Sequence, residues 1–414
     1  MKKLKGAALL GQSGGPTSVI NASAAGVFLE ALKHEQITDV YAGIHGIKGI
    51  LNEEFYDIKQ EDLEELERLK YTPSSAIGSV RYKLKDPNVD DSDYKKLLEV
   101  FKKYNIRYFF YNGGNDSMDT CHKISEYMSN AHWDVNIIGV PKTIDNDLNG
   151  TDHTPGFGSA AKYVITTLME LYLDATVYDT KNVTIVEIMG RNAGWLAASA
   201  NLSKSLGYGP DLIYLPEVNF DLNNFFTQVE HLLEKKRSIV IAVSEGIMSD
   251  GKYIPEIYNA QIGKDAFGHA QLGGTALLLA QEIKNRFNVK TRPIELSLLQ
   301  RSAAHLASLT DIEEAFNAGK HAVLAAINGQ SGYMVCFKRL SSEPYEISYE
   351  LVPLKIAANI EQKVPLEWIL PNGAGLTQAY NDYLLPLIQG ETKLEKVNGL
   401  PRFAQLKKVR VPKK

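Results

Sequence analysis

Short, mostly apolar runs punctuate the chain at residues 7–10, 108–111, 135–140, 183–188, 212–215 and 238–243. Each has strand length. Helix-period stretches lie among and after them at 19–33, 118–129 and 275–286. Strands apolar on both faces and separated by helices predict an α/β fold, mostly parallel sheets with helices on both faces. The charged stretch 61–70 predicts a helix with a solvated face. Residues 376–388 predict a packing segment in which Tyr380 and Tyr383 are structural, and the basic residues 407–414 a loose tail.

At 414 residues the chain is long for one core, which points to two domains. Its 45 basic and 49 acidic residues leave a net charge of −4 and no general attraction to nucleic acid or a membrane surface. Two cysteines, Cys121 and Cys336, make neither a disulfide framework nor a zinc cluster and suit a reducing compartment. The apolar run before Gly11 is too short for a signal peptide, and no stretch is apolar enough to span a bilayer. A cytoplasmic protein is expected.

In such sheets ligands sit at the carboxyl ends of strands, which singles out three turns. The first, GQSGGPTS at 11–18, places Gly14 and Gly15 between a strand and a helix, where backbone N–H groups can approach an anion. It also fits a tight connection capped by Thr17 or Ser18. There is no Walker A loop. The second, YNGGNDSMD at 111–119, sets Asn115 and Asp116 at the mouth of a turn, with Ser117 as a candidate helix cap. The third, GVPKTIDNDLNG at 139–150, carries Lys142 with Asp145 and Asp147. In extended backbone those carboxylates share one side, as Mg2+ ligation or a base beside a metal ligand requires. Arg81, in GSVR with Lys83 beyond it, is a candidate phosphate clamp.

Taken in order, GGPTSVIN, GSVR, GGNDS, PKTIDND, MGRNAGW, AVSEG and TRPIELSLLQRSAAHLAS resemble the phosphofructokinase family over about residues 5–335. The resemblance implies a two-domain fold. A phosphoryl-donor domain, 1–157, is completed by a segment returning at about 302–375. A fructose 6-phosphate domain spans 158–301, with 376–414 unplaced. The implied reaction is phosphoryl transfer to the 1-hydroxyl of fructose 6-phosphate. Asp145 falls on the catalytic base and Asp147 on the Mg2+ site, with Asn115 the second metal residue. Thr143, Ile144, Met189, Gly190, Arg191 and Glu245 fall on sugar-binding positions, and Arg292 and Arg301 on the arginines that hold the 6-phosphate. One of those commonly comes from a neighbouring subunit, so a homodimer or homotetramer is implied. Gly14, Gly15 and Arg81 fall on donor-phosphate positions.

Two residues bear on the donor. Asp116 and Lys142 stand where ATP-using members have glycine. A carboxylate at the first position fills the room of the α-phosphate and repels it. Lys142 can neutralise charge developing on a departing phosphate. The pair resembles the pyrophosphate-dependent form. Three positions depart from the family pattern: Asn115 where aspartate is usual, Asn182 where ATP-using members have arginine, and Leu298 where they have histidine near the sugar. The last leaves room for a seven-carbon sugar phosphate as second acceptor. An ATP-dependent enzyme and a non-catalytic regulatory subunit are the competing readings, the latter opposed by intact Asp145, Asp147, Lys142 and Arg301. His269, in FGHAQLGG, is read as part of the approach to the helix at 275–286, with Gly273 and Gly274 as the turn.

Overall fold

A computed structural model describes residues 4–258, 263–264, 270–271, 273–358 and 360–414. The chain first lays down β1 (Gly6–Gln12), β2 (Ile37–Gly43), β3 (Phe55–Asp57), β4 (Ile106–Gly113) and β5 (Asn136–Pro141). Then come β6 (Asn182–Ile188), β7 (Leu212–Tyr214) and β8 (Ser238–Ser244), with two small hairpins, β9–β10 (Met248–Ser249, Lys252–Tyr253) and β11–β12 (Gly263–Lys264, Ala270–Gln271). Next come β13 (Lys290–Glu295), β14 (Tyr333–Ser342) and β15 (Tyr345–Pro353), and last a third small hairpin, β16–β17 (Lys396–Val397, Leu400–Pro401).

These strands build two main sheets. One is seven-stranded, ordered β15-β14-β5-β4-β1-β2-β3, and parallel except at its two edges. The other, β13-β6-β8-β7, is parallel throughout. Period-2 alternation explains the apolar runs. Leu9, Phe109 and Ile137 face one core, and Leu10, Phe110 and Ile138 the other. Helices Ser92–Lys103 and Asn115–Asn130 cover the first face; Ile20–Ala31 and Leu309–Ile327 cover the second. The last two helices touch backbone to backbone. A Cβ on Gly319 would stand 2.0 Å from the Ser23 carbonyl oxygen, and one on Gly26 2.0 Å from that of Phe316. In the smaller sheet Val183, Ile185 and Ile241 pack under helices Leu222–Lys235 and Thr275–Phe287, while Val186 and Ala242 pack against Phe157–Ala175.

Register fixes what emerges at the carboxyl ends. Gln12 pairs with Asn112, which pairs with Val140, so the turns after β1, β4 and β5 leave side by side. In the smaller sheet Ile188 pairs with Ser244 and Glu187 with Glu295.

Two expectations are corrected. The charged stretch at 61–70 is a short helix, Leu63–Arg68, with a 3-10 turn; Asp62, Glu64 and Glu67 form the expected solvated face, but Glu61 and Glu65 are covered. Glu61 accepts the backbone N–H groups of Lys407 and Lys408; Glu65 accepts that of Gln405 and pairs with Arg402. The tail is therefore pinned. The Asp57 N–H donates to the Val409 carbonyl at 2.9 Å and the Val411 N–H to that of Phe55 at 3.0 Å. β3 is an edge strand whose backbone groups need partners, and the tail supplies them.

The segment at 376–388 forms helix Gln378–Leu384 and a 3-10 turn. Tyr380 donates to the Trp195 carbonyl and Tyr383 to that of Asp152.

Candidate active site

The three turns enclose a cleft of about 670 Å³ lined by Gly14, Gly15, Arg81, Lys83, Gly114, Asn115, Asp116, Ser117, Lys142, Thr143, Asp145, Asp147, Arg191, Ile360, Glu361 and Lys363. Gly14 has a left-handed φ of +76°, open to few residues with a side chain. A Cβ on Gly15 would lie 2.4 Å from Nη1 of Arg301, so an alanine there displaces the arginine. Arg301 thus reaches the donor turn from beyond β13.

The second turn differs from its sequence reading. The helix starts at Asn115 after an extended Gly114, so Asn115 and Asp116 occupy its first turn, and Ser117 is buried rather than capping. A carboxylate in the first turn complements the helix dipole. Asn115 donates through Nδ2 to Asp147 Oδ2 at 2.9 Å. Its Oδ1 is buried without a partner. An orphaned amide oxygen beside a carboxylate is a hard, oxygen-only donor pair that suits Mg2+. That ion is commonly held by one or two protein ligands and completes its shell with phosphate oxygens and water. Accordingly, no cluster of three His, Cys, Asp or Glu side chains able to hold a metal occurs among the described residues.

In the third turn Lys142 is 4% exposed, and its Nζ donates to the Gly15 carbonyl at 2.7 Å, tying two turns together. The backbone between the two aspartates is not extended as the sequence suggests: Asn146 is left-handed, φ +56°. Its amide is held by the Tyr383 hydroxyl at 2.8 Å and the Thr154 N–H at 2.9 Å. Both aspartates still face the cleft.

Burial governs the charges. It pulls Lys142 down to about 8, against the attraction of Asp145. It pushes the Asp145 carboxyl up, opposed by Arg191 and Lys142. Asp147 rises to about 7 through burial and the nearby charges of Asp145 and Glu361. Glu245 rises to about 7 through burial and then Asp145. A cleft that raises its carboxyls and depresses its lysine is set to receive a polyanion with its counter-cation.

The smaller sheet adds the turn after β6. The Met189 N–H donates to Gln300 at 3.2 Å and the Gly190 N–H to Glu245 at 3.3 Å. Met189 and Glu245 line a small adjoining cavity, and Arg191 lines the main cleft. Three sequence candidates stand elsewhere. Ile144 packs in the apolar core of the smaller sheet. Arg292, on β13, sits over the Tyr178 ring at 4.9 Å with Nη1 unpaired. Leu298 is 56% exposed. Asn182 is buried and bonds Ser238, Ala175 and Thr180. His269 lies outside the described residues.

One wall escaped sequence reading. Residues 360–363 run beside the third turn. Glu361 bridges Leu148, and the Gln362 N–H donates to the Asp147 carbonyl at 2.8 Å. The turn after β6 holds the same segment through Asn192 to Glu361 at 2.8 Å and Trp195 to the Gln362 carbonyl at 2.9 Å. No local periodicity marks it, since its partners lie far away in sequence.

The family model described as phosphofructokinase matches residues 8–333. This chain belongs to the phosphofructokinase family. Within that family it is 45% identical over 412 residues to the pyrophosphate–fructose 6-phosphate 1-phosphotransferase of Halomonas elongata, covering 98% of this chain and 97% of the relative. It is 42% identical, over the same shares, to the protein of that name from Methylococcus capsulatus. Among solved structures, the pyrophosphate-dependent phosphofructokinase of Nitrosospira multiformis superposes with a TM-score of 0.90 at 39% identity, covering 99% of this chain and 98% of that one. The phosphofructokinase match ends before the wall at 360–363 begins, although these relatives cover nearly the whole chain.

Proposed function

We propose that this phosphofructokinase transfers a phosphoryl group from pyrophosphate to the 1-hydroxyl of fructose 6-phosphate, reversibly and with Mg2+, giving fructose 1,6-bisphosphate and phosphate. The observation that carries the reading is the joining of Lys142, Asp145 and Asp116 in one cleft with the glycine turn Gly14–Gly15. Phosphoryl transfer needs alignment and charge stabilisation more than covalent help. Asp145 accepts the proton of the attacking 1-hydroxyl. Lys142, Arg81 and the backbone of Gly14 and Gly15 hold the pyrophosphate, and Lys142 stabilises the phosphate that leaves. Asp116 sets a negative charge where a nucleotide would place its next phosphate. Arg301 and Glu245 bind the sugar phosphate, with Thr143 and the Met189–Arg191 turn beside them. Mg2+, held by Asn115 and Asp147, would supply positive charge to the donor oxygens.

The chain acts as a homodimer or homotetramer. Arg292, which does not line its own chain's cleft, serves the 6-phosphate of a neighbouring subunit. A cytoplasmic location fits two buried, unpaired cysteines. No helix among the described residues is long and apolar enough to cross a membrane.

The test is a donor assay. Purified protein with fructose 6-phosphate and Mg2+ receives pyrophosphate or ATP, and fructose 1,6-bisphosphate is measured directly. Turnover with pyrophosphate, with ATP use appearing only when Asp116→Gly is combined with Lys142→Gly, is expected. Turnover of the wild type with ATP alone would refute the donor assignment.

A further inference from the structure

The wall at 360–363 makes two kinds of contact, and the difference between them is informative. Its backbone is held on every side. The Gln362 N–H and carbonyl are taken by Asp147 and Trp195, and the next residue, Val364, donates its N–H to Glu217 Oε1 at 3.1 Å. Glu217 also accepts the Gly194 N–H at 2.7 Å. The segment therefore clasps the turn after β5 to the turn after β6. Glu361 is likewise engaged, accepting from Asn192.

Lys363 is held only from a distance. It lines the cleft and is exposed; its charge acts on the buried Glu217 carboxylate, but no hydrogen bond or close ion pair ties its ammonium down among the described residues. A lysine is usually unpaired because it waves in solvent from a loose loop. This one is anchored at the backbone positions on both sides and opens onto a cavity that already holds Arg81, Lys142 and Arg191. Of those cations, Lys142 is engaged with the Gly15 carbonyl. Pyrophosphate is a small polyanion with no base or ribose through which to gain affinity. Its binding has to come from cations around its oxygens.

Taking the pyrophosphate reading as its basis, we infer that Lys363 is a donor-binding residue, closing over the phosphate from the wall opposite Arg81 and the glycine turn. It lies outside the stretch matched as phosphofructokinase, so the donor site is finished by a separate part of the chain.

The experiment compares wild type, Lys363→Met and Lys363→Arg. Methionine keeps the stem and removes the charge; arginine keeps the charge. Pyrophosphate is varied at saturating fructose 6-phosphate, and then the reverse. Lys363→Met is expected to raise KM for pyrophosphate about tenfold, as for one lost charge-assisted hydrogen bond. KM for fructose 6-phosphate stays within about twofold, and Lys363→Arg restores most of the loss. A readout independent of turnover is the rise in melting temperature caused by magnesium pyrophosphate alone, which should shrink in Lys363→Met and return in Lys363→Arg. An unchanged pyrophosphate KM in Lys363→Met, or an increase confined to fructose 6-phosphate, overturns the assignment. Wild-type protein that fails to use pyrophosphate would instead overturn the donor reading itself, so the two failures are separable.

Discussion

His153 offers a prediction whose size follows from its surroundings. It is 2% exposed, its Nδ1 lies 2.8 Å from Asp152 and its Nε2 2.7 Å from Glu314. Burial alone would favour the neutral ring, but the two carboxylates win and raise its pKa from 6.5 to about 9. A group whose folded pKa exceeds its unfolded value contributes stability that is full below about pH 6.5. That contribution is lost as pH rises through about 9. At 1.36 kcal/mol per unit the interval corresponds to about 3 kcal/mol. The perturbation is His153→Gln, which keeps a polar side chain at the site and abolishes the titration. Urea unfolding followed through tryptophan fluorescence, with Trp195 buried, is measured from pH 6 to 10 for both proteins. The wild type should lose about 3 kcal/mol relative to the variant across that range, most of it between pH 7 and 9. Parallel stability curves would refute the argument, because the variant lacks the one group whose raised pKa spans that range here. The same site bears on the turn after β5, since Tyr383 bonds both the Asp152 carbonyl and Asn146.

Two further predictions concern the cleft. Asp145→Asn removes the proton acceptor while preserving shape, and should lower kcat by about 10² to 10⁴ with little change in either KM; a kcat within tenfold of wild type would sink the assignment. Gly15→Ala puts a methyl group 2.4 Å from Arg301 Nη1, so KM for fructose 6-phosphate should rise by about tenfold or more, and an unchanged KM would show that Arg301 can move aside freely.

Much of this architecture was readable from local pattern, for identifiable reasons. The strands β1, β4, β5, β6 and β8 are buried on both faces, so each needs an unbroken apolar run. The glycines of the first turn and the polar residues of the third mark strand ends directly. Asn115 and Asp116 read as the mouth of a turn yet open a helix, because Gly114 can begin a helix without a capping side chain. What local pattern does not carry is pairing at long range. Glu61 and Glu65 look like solvent-facing charges until the distant tail arrives to use them. Lys363 looks like an ordinary surface lysine until Asp147, Trp195 and Glu217 fix the backbone around it.

The pinned tail also sets an order of events during synthesis. β3 has its antiparallel partner β2 close by in sequence, but its outer edge is covered only by Val409 and Val411, much further along the chain. β5 likewise waits for β14. While the ribosome is still adding the intervening residues, the large sheet is open along both margins, and such margins invite pairing with other chains. The strip through Val409 and Val411 seals one of them, so a chain cut just before it would keep every cleft residue and carry one border still adhesive.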